Sequence, residues 1–90
     1  MNELEEQIKD FLISKSVEIL NVDRFEIQWE EDLDEYGFES MKLNKLCLII
    51  NETFNIDVRP AIFLEYTSLL EFSQYLKKTY YQKVESILVS

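Results

Sequence analysis

The segment Tyr36-Gly37-Phe38-Glu39-Ser40-Met41 places a hydroxyl group directly before an apolar sequence with helical spacing. Ser40 is therefore predicted to be the N-cap of a helix, and the simplest interpretation is that its hydroxyl only caps backbone N–H groups. The residue three positions on is Leu43, not Glu or Gln, so the reciprocal capping box is absent. A second use is chemical, because a phosphate esterified to this hydroxyl would lie at the positive end of the helix dipole.

The same stretch also begins like a calcium-binding loop, and this alternative fails on its ligands. Asp32, Asp34 and Gly37 stand at the first, third and sixth positions of such a loop. The twelfth position, which requires a bidentate Glu, is Leu43, and the fifth is Tyr36, which supplies no suitable oxygen. We therefore expect no metal site. Gly37 is the only glycine and stands where a loop turns into a helix, so we expect a positive φ there.

The composition excludes most catalytic chemistry. The 90 residues include no histidine and one cysteine, Cys47, which excludes a Ser-His-Asp triad, a Cys-His pair, an ordinary zinc site and an internal disulfide. Cys47 lies on an apolar helical stripe and is expected to be a small core residue. The chain holds 18 acidic and 9 basic residues, a net charge of −9, which argues against nucleic-acid binding.

The acidic residues are concentrated in the first part of the chain. Residues 1–40 carry a net charge of −10 and residues 41–90 a net charge of +1. The densest cluster is Glu30-Glu31-Asp32-Leu33-Asp34-Glu35. One interpretation is a solvated loop that keeps the protein soluble, and the other is an electrostatic docking surface for a basic partner.

Hydrophobic periodicity and the scarcity of Gly and Pro predict an all-α fold. Ser68 and Glu71 form a capping box at the start of the last helix, which continues with helical spacing towards the chain end. Apolar residues in the connection between the first two helices are expected to anchor it to the bundle. The predicted helices cover about residues 3–20, 41–54 and 60–64 and the stretch from Ser68 onward, and the expected anchors are Val22, Phe25, Ile27, Trp29, Leu33 and Phe38.

The second helix has a clean buried stripe and an unusual opposite face. Leu43, Leu46, Cys47, Ile50 and Phe54 form the stripe. The opposite face, called here the outer face of the second helix, carries Met41, Lys45, Leu48, Ile49 and Glu52. Its large apolar residues are either scattered surface side chains or a partner-binding surface.

We expect one domain over residues 1–90, with a core over about 4–78 and an extension over 79–90. The extension is either a helix packed on the body, a docking element or a frayed end. The acidic N-terminus does not resemble a signal peptide, and no apolar run is long enough to span a membrane, so a cytoplasmic protein is expected.

The residues around Ser40 give the sequence a resemblance to the acyl carrier protein family, most of all to carrier domains of modular polyketide synthases. The family pattern is Gly, an apolar residue, Asp or Glu, the modifiable Ser and another apolar residue, here Gly37-Phe38-Glu39-Ser40-Met41. The similarity continues without gaps from about Leu20 to Leu76. Further matching positions are Leu20, Ile27, Leu33, Leu46, Ile50, Asn51, Phe54, Val58-Arg59-Pro60, Phe63-Leu64-Glu65-Tyr66 and Ser68-Leu69.

The resemblance implies a four-helix carrier bundle with a long loop between helices 1 and 2 and a short helix 3. It implies that a separate phosphopantetheinyl transferase attaches a 4′-phosphopantetheine arm from coenzyme A to Ser40. The arm holds acyl groups as thioesters while a ketosynthase, an acyltransferase or other synthase enzymes do the chemistry, so the chain itself is expected to be a monomeric, non-catalytic carrier. The residues expected to serve motif or partner recognition are Gly37, Phe38, Glu39, Met41, Lys45, Leu48 and Ile49.

Two departures from the family pattern narrow the interpretation. Glu39 replaces the usual Asp before the serine, and Lys45 occupies a position that is commonly acidic. Specialised biosynthesis is therefore favoured over fatty-acid synthesis, and a peptidyl carrier is disfavoured because its usual Gly-Gly-His-Ser is absent. The alternative from another class is an unmodified interaction module, in which Ser40 is only a cap and the second helix binds partners.

Overall fold

Four α-helices make up most of residues 3–89, which are the residues that the computed structural model describes. They are α1, Glu3–Leu20; α2, Ser40–Phe54; α3, Leu69–Thr79; and α4, Tyr81–Leu88. Short 3₁₀ helices at Arg24–Glu26, Leu33–Glu35 and Pro60–Leu64 lie in the connections. The described residues form no β-strand, which confirms the all-α class, and none of their helices is long and apolar enough to cross a membrane.

The core forms where α1 packs against α2, α3 and α4. Apolar side chains one turn apart on α1 face the other helices, and burying each of them stabilises the fold by about 1.5–3 kcal/mol. α4 contributes Val84, which is fully buried, so the extension predicted after residue 79 packs on the body. The most deeply buried apolar side chains are Phe38, Phe72, Ile8, Leu12, Leu46, Ile50, Leu69, Leu76 and Val84.

Asparagine ends both long helices. Asn21 follows α1 and Asn55 follows α2, each with φ of 56°, a left-handed conformation that asparagine tolerates better than most residues. Lys83 on α4 donates a hydrogen bond of 2.8 Å from Nζ to the Asn55 carbonyl oxygen. α4 therefore satisfies a carbonyl group at the end of α2.

The last helix differs from its prediction. The spacing predicts one helix from Ser68 towards the chain end, but Tyr80 adopts φ −123° and ψ 36° and separates α3 from α4. The change of direction at Tyr80 lets Val84 reach α1 and α2, while Ile87 stays 50% exposed instead of continuing the buried stripe. At the start of α3 half of the predicted capping box is confirmed, because Ser68 Oγ accepts a hydrogen bond of 3.1 Å from the Glu71 N–H. The reciprocal half is absent, because the Glu71 carboxylate accepts at 3.0 Å from the N–H of Thr67, one residue before the cap.

The long connection between α1 and α2 is held against the start of α3. The Leu33 N–H donates to the Thr67 carbonyl oxygen at 2.9 Å, and the Leu70 N–H donates to the Trp29 carbonyl oxygen at 3.0 Å. Ile27, Leu33 and Phe38 are buried, as predicted, and Val22 and Trp29 are partly buried. The prediction was wrong for Phe25, which is 81% exposed because it lies at the centre of the 3₁₀ turn Arg24–Glu26, outside the core.

Candidate functional site

Ser40 is the first residue of α2 and its side chain is exposed. The prediction that Ser40 is the N-cap was wrong by one residue. Glu39 is the N-cap, because its backbone is extended (φ −82°, ψ 174°) while its carbonyl oxygen already accepts hydrogen bonds of 2.9 Å from the N–H groups of Lys42 and Leu43. The Glu39 side chain makes no capping hydrogen bond either. The Ser40 hydroxyl is thus not committed to capping, and it stands beside the first N–H groups of α2, which have no partner within the helix.

Gly37 makes the turn that leads into α2. Its φ is +113°, in the region that side chains with a Cβ disfavour, as predicted for the only glycine of the chain. A Cβ added there would lie 3.6 Å from Leu20 Cδ2, which is an ordinary contact. Glycine is therefore required here because of its backbone conformation and not because a larger side chain would clash.

Phe38 anchors the approach to Ser40. Its side chain is 1% exposed, and its N–H donates to the Leu33 carbonyl oxygen at 3.2 Å. Tyr36 packs edge-on against it with ring centroids 6.0 Å apart. Among residues 3–89 the buried Tyr36 hydroxyl has no hydrogen-bond partner, and burial, with a smaller contribution from Glu31, raises its pKa. The residues before Ser40 are thus held by the core, so the position of the hydroxyl is defined.

A cleft of about 550 Å³ opens beside Ser40, between the start of α2, the long connection and the 3₁₀ helix Pro60–Leu64. We call it the Ser40 cleft. Its apolar lining includes Leu33, Leu43 and Phe63, and Asn44 and Thr67 contribute polar groups. The site therefore combines an exposed hydroxyl with an adjacent surface of mixed polarity.

Asn51 holds the segment that leads to the far wall of this cleft. Its side-chain amide nitrogen donates to the Val58 carbonyl oxygen at 2.9 Å, and its amide oxygen accepts from the Val58 N–H at 2.7 Å. These two hydrogen bonds position the residues before Pro60, where the 3₁₀ helix begins. The sequence identified Asn51 only as a matching position; an amide on the flank of an apolar stripe is the signal that could have indicated this role.

Two large apolar side chains on the outer face of α2 are exposed. Met41 is 78% exposed and Leu48 is 58% exposed, whereas Ile49 is half-buried and Lys45 is exposed. Leu64, which sequence reasoning did not select, is 85% exposed and lines the Ser40 cleft. No sequence signal indicated that Leu64 is exposed, because the adjacent residues Ile62 and Phe63 are also apolar and pack on the core.

The acidic cluster borders the Ser40 cleft. We call Glu30, Glu31, Asp32, Asp34 and Glu35 the acidic rim; all five are exposed. Asp32 and Asp34 line the cleft together with Ser40. Asp32 also accepts a hydrogen bond of 2.9 Å from the Thr67 hydroxyl, so one end of the rim is fixed to the start of α3.

Histidine is absent from the chain and its single cysteine is buried. Cys47 is buried about two turns further along α2, and burial raises the pKa of its thiol to about 11, so it is a poor nucleophile at neutral pH. The chain has no histidine to act as a base. Among residues 3–89 no cluster of cysteine and carboxylate side chains has the arrangement of a metal site. The arrangement can present a hydroxyl to another molecule.

A model of a known protein family matches most of the chain. The family is described as the phosphopantetheine attachment site, and the match covers residues 10–76, which include Ser40 and the whole Ser40 cleft. The chain belongs to this family. It is therefore a carrier domain that bears a covalently attached 4′-phosphopantetheine group, and domains of this family are in general non-catalytic.

The chain is similar to parts of three polyketide synthases from Bacillus subtilis (strain 168). It is 27% identical to PksN over 83% of the chain, 24% identical to PksM over 93% and 28% identical to PksL over 79%. These matches cover only 1–2% of the relatives, so the chain corresponds to a very small part of each. No solved structure matches the chain at a significant level.

Proposed function

We propose that Ser40 is the residue that carries the 4′-phosphopantetheine arm. The observation that carries this proposal is the exposed Ser40 hydroxyl at the first position of α2, released from capping and opening on a cleft. The N–H groups of the first helical turn and the helix dipole favour a negatively charged phosphodiester at this position. No other serine of the chain lies in the Gly37-Phe38-Glu39-Ser40 context.

The attachment reaction needs a separate enzyme. In it the Ser40 oxygen forms a bond to phosphorus, the pyrophosphate bond of coenzyme A breaks, adenosine 3′,5′-bisphosphate leaves, and the hydroxyl proton passes to the transferase. This chain has no histidine to activate Ser40, and a phosphopantetheinyl transferase is proposed to supply the activation. When bound, the arm supplies a terminal thiol that holds acyl groups as thioesters.

The residues of the Ser40 cleft fit such an arm. Pantetheine contains two amide groups joined by short apolar segments, so it requires both apolar contacts and hydrogen-bonding groups. Leu43 and Phe63 supply the former, and Asn44 and Thr67 supply the latter. The cleft volume of about 550 Å³ lies within the range of ~300–1,000 Å³ that is usual for small-molecule sites.

The pathway that we propose is polyketide synthesis or a related specialised biosynthesis. It is supported by the similarity to PksN, PksM and PksL, whose names describe polyketide synthases. The chain would act as a non-catalytic, monomeric phosphoprotein in the cytoplasm and deliver its thioesters to a ketosynthase, an acyltransferase or another acyl-modifying enzyme. The acidic rim borders the cleft, so partner surfaces near it are expected to be basic.

Residues beside Ser40 and residues further along the exposed side of α2 are proposed to recognise these partners. Glu39 and Met41 flank Ser40, and Lys45 and Leu48 follow on the same exposed side. Gly37 and Phe38 act indirectly, because they set the position of Ser40. Ile49 is half-buried, so its contribution to the partner surface is expected to be smaller than that of Leu48.

The test is the intact mass of the chain after incubation with coenzyme A, magnesium and a broad-specificity phosphopantetheinyl transferase. We expect the wild type to gain one phosphopantetheinyl group and Ser40→Ala to gain none. Ser14→Ala is the matched control, because Ser14 is also exposed on a helix but lies outside the motif, and this variant should gain the full mass.

A second function remains as the alternative outcome. The exposure of Met41 and Leu48 favours a protein-interaction module whose binding does not require modification of Ser40. No mass gain, with a folded chain and a transferase that modifies another carrier, would support this module. A mass gain in Ser40→Ala would show that another residue carries the arm.

A further inference from the structure

A second concave region lies on another side of the molecule, between α1 and α3. It is a groove of about 430 Å³ whose apolar lining comes from Ile8, Trp29, Leu70 and Tyr81. The backbone hydrogen bond from the Leu70 N–H to the Trp29 carbonyl closes one side of it. The segment Trp29–Leu33 separates this groove from the Ser40 cleft, since Trp29 lines one and Leu33 lines the other. A molecule in the groove therefore need not occupy the Ser40 cleft.

The charge around this groove is opposite to that of the chain. Lys9, Lys77 and Lys78 line it together with a single acidic residue, Glu5. They are three of the nine basic residues in a chain of net charge −9. Lys77 is held by Glu5 at 2.6 Å, so Lys9 and Lys78 carry the net positive charge of the groove. We call this region the lysine groove.

The two lysines lie on different helices, Lys9 on α1 and Lys78 on α3. Lys9 Nζ lies 5.4 Å from the centre of the Trp29 ring. Lys78 lies near the end of α3, eight residues after Leu70, which corresponds to about 12 Å along a helix. A helical peptide with acidic residues on one face could present a carboxylate to each of them.

The residues that give the groove its charge lie outside the family match. The match covers residues 10–76, whereas Glu5, Ile8 and Lys9 precede it and Lys77, Lys78 and Tyr81 follow it. The attachment of the arm is thus explained by one part of the chain, and the lysine groove is formed mainly by another.

We propose that the lysine groove is a docking site for an acidic, amphipathic helical segment of a partner protein. Apolar side chains at positions i, i+4 and i+7 of such a helix would span about 10.5 Å and fit along the apolar lining. Its acidic side chains would approach Lys9 and Lys78. The segment would bind while the Ser40 cleft and the acidic rim face a basic partner, so the two regions select partners of opposite charge.

The test uses the full chain without the arm and a synthetic 12-residue peptide with Leu at i, i+4 and i+7 and Glu on the remaining face. Trp29 is the only tryptophan of the chain, so its fluorescence reports binding directly. We expect a saturable change in fluorescence. The affinity derived from it should be at least tenfold higher for this peptide than for a version with Gln in place of Glu. Lys78→Glu, and Lys9→Glu combined with Lys78→Glu, should each weaken binding at least tenfold.

Lys45→Glu is the matched control, because it makes the same charge change at an exposed lysine on α2, away from the groove. Its affinity for the peptide should stay within twofold of the wild type, and Ser40→Ala should bind equally well, so the result does not depend on arm attachment. Absence of saturable binding, equal affinity for the Glu and Gln peptides, or equal loss in Lys45→Glu would overturn the proposal. Two further results would overturn it. One is the same fluorescence change with the fatty acid dodecanoate in place of the peptide, and the other is a fluorescence change that arises from self-association of the chain.

Discussion

The Ser40 cleft and the lysine groove are concave regions of similar size on one small bundle, but they are built differently. The Ser40 cleft rests on Phe38, which is buried in the core, and on the half-buried Asn51, which is bonded to Val58; acidic residues border the cleft. The lysine groove has an apolar lining between two helices, and its charge comes from long surface side chains. The first region lies within the family match and the second lies mostly outside it.

This difference separates two physical requirements. A modification site must present one hydroxyl in a defined position, and buried contacts achieve this at the cost of sensitivity to substitution. A docking surface depends on charge and exposed apolar area, and these can change with little effect on stability. Substitutions in the two regions should therefore separate effects on stability from effects on binding.

The largest effect is expected for Phe38→Ala. The side chain is 1% exposed, so its removal leaves a cavity and should lower the free energy of unfolding by about 3–5 kcal/mol. Arm attachment should slow as well, because Phe38 sets the approach to Ser40. Urea denaturation followed by circular dichroism measures the first effect, and the rate of mass gain with the transferase measures the second.

Phe25→Ala is the matched control for that change. It removes the same side chain where it is 81% exposed, so the free energy of unfolding should change by less than about 0.5 kcal/mol. Similar losses in the two variants would contradict the view that the Ser40 cleft rests on the core.

The sequence predicted most of the helices because their apolar spacing is strong. The bounds predicted for α1 and for the Pro60–Leu64 helix agree with the structure. It did not predict the break at Tyr80, since no Gly or Pro marks it and only the packing of Val84 explains it. The exposure of Phe25 was missed for a similar reason, because an apolar residue in a loop gives no periodicity that indicates its direction.

For the site, the motif predicted where Ser40 lies, but the structure changes its local role. Because serine is common at N-caps, the sequence predicted Ser40 as the N-cap of α2. In the structure the N-cap is Glu39, whose backbone is extended. The lysine groove could not be predicted, because Lys9 and Lys78 are far apart in sequence and only the packing of α1 against α3 brings them to one groove.

A smaller loss is expected for Asn51→Ala. The change removes two hydrogen bonds to Val58 and leaves its part-buried N–H and carbonyl groups without partners, which should cost about 2 kcal/mol. Asn44→Ala, on the same helix but exposed, is the control and should cost much less. Urea denaturation of both variants provides the comparison, and equal costs would show that the Asn51 bonds do not support the cleft wall.

The stability of the folded chain should also depend on pH through Cys47, which is buried in the core. Burial raises the pKa of Cys47 from 9.0 to about 11, so the folded chain keeps a proton that the unfolded chain loses above pH 9. Stability should therefore fall as the pH rises through this range, and Cys47 should account for about 1 kcal/mol of the loss between pH 8 and pH 10.

Cys47→Ala isolates this contribution. Burial also raises the pKa of Tyr36 and Tyr75, and both tyrosines remain in the variant, so their effects cancel in the comparison. Urea denaturation of both proteins at pH 8 and pH 10 should show a smaller pH-dependent loss in Cys47→Ala. An identical loss would mean that the thiol is more accessible to water than the structure indicates.

The smallest effect on stability is expected for Leu48→Ser and Lys78→Glu, and this pair compares the two regions most directly. Leu48 is 58% exposed on the outer face of α2, so its replacement should leave the melting temperature within about 2 °C of the wild type. If the transferase contacts that face, arm attachment should slow about fivefold or more. Lys78→Glu changes the lysine groove and should leave the attachment rate within twofold.

The peptide experiment should give the reverse order, with binding lost in Lys78→Glu and retained in Leu48→Ser. This crossed result would show that the two regions act independently, because each substitution would affect only the partner of its own region. Equal slowing of arm attachment by both variants would instead mean that charge across the whole molecule governs the encounter with the transferase. The two regions would then differ in position but not in the partners that they select, since the electrostatic field of the whole molecule would act on both.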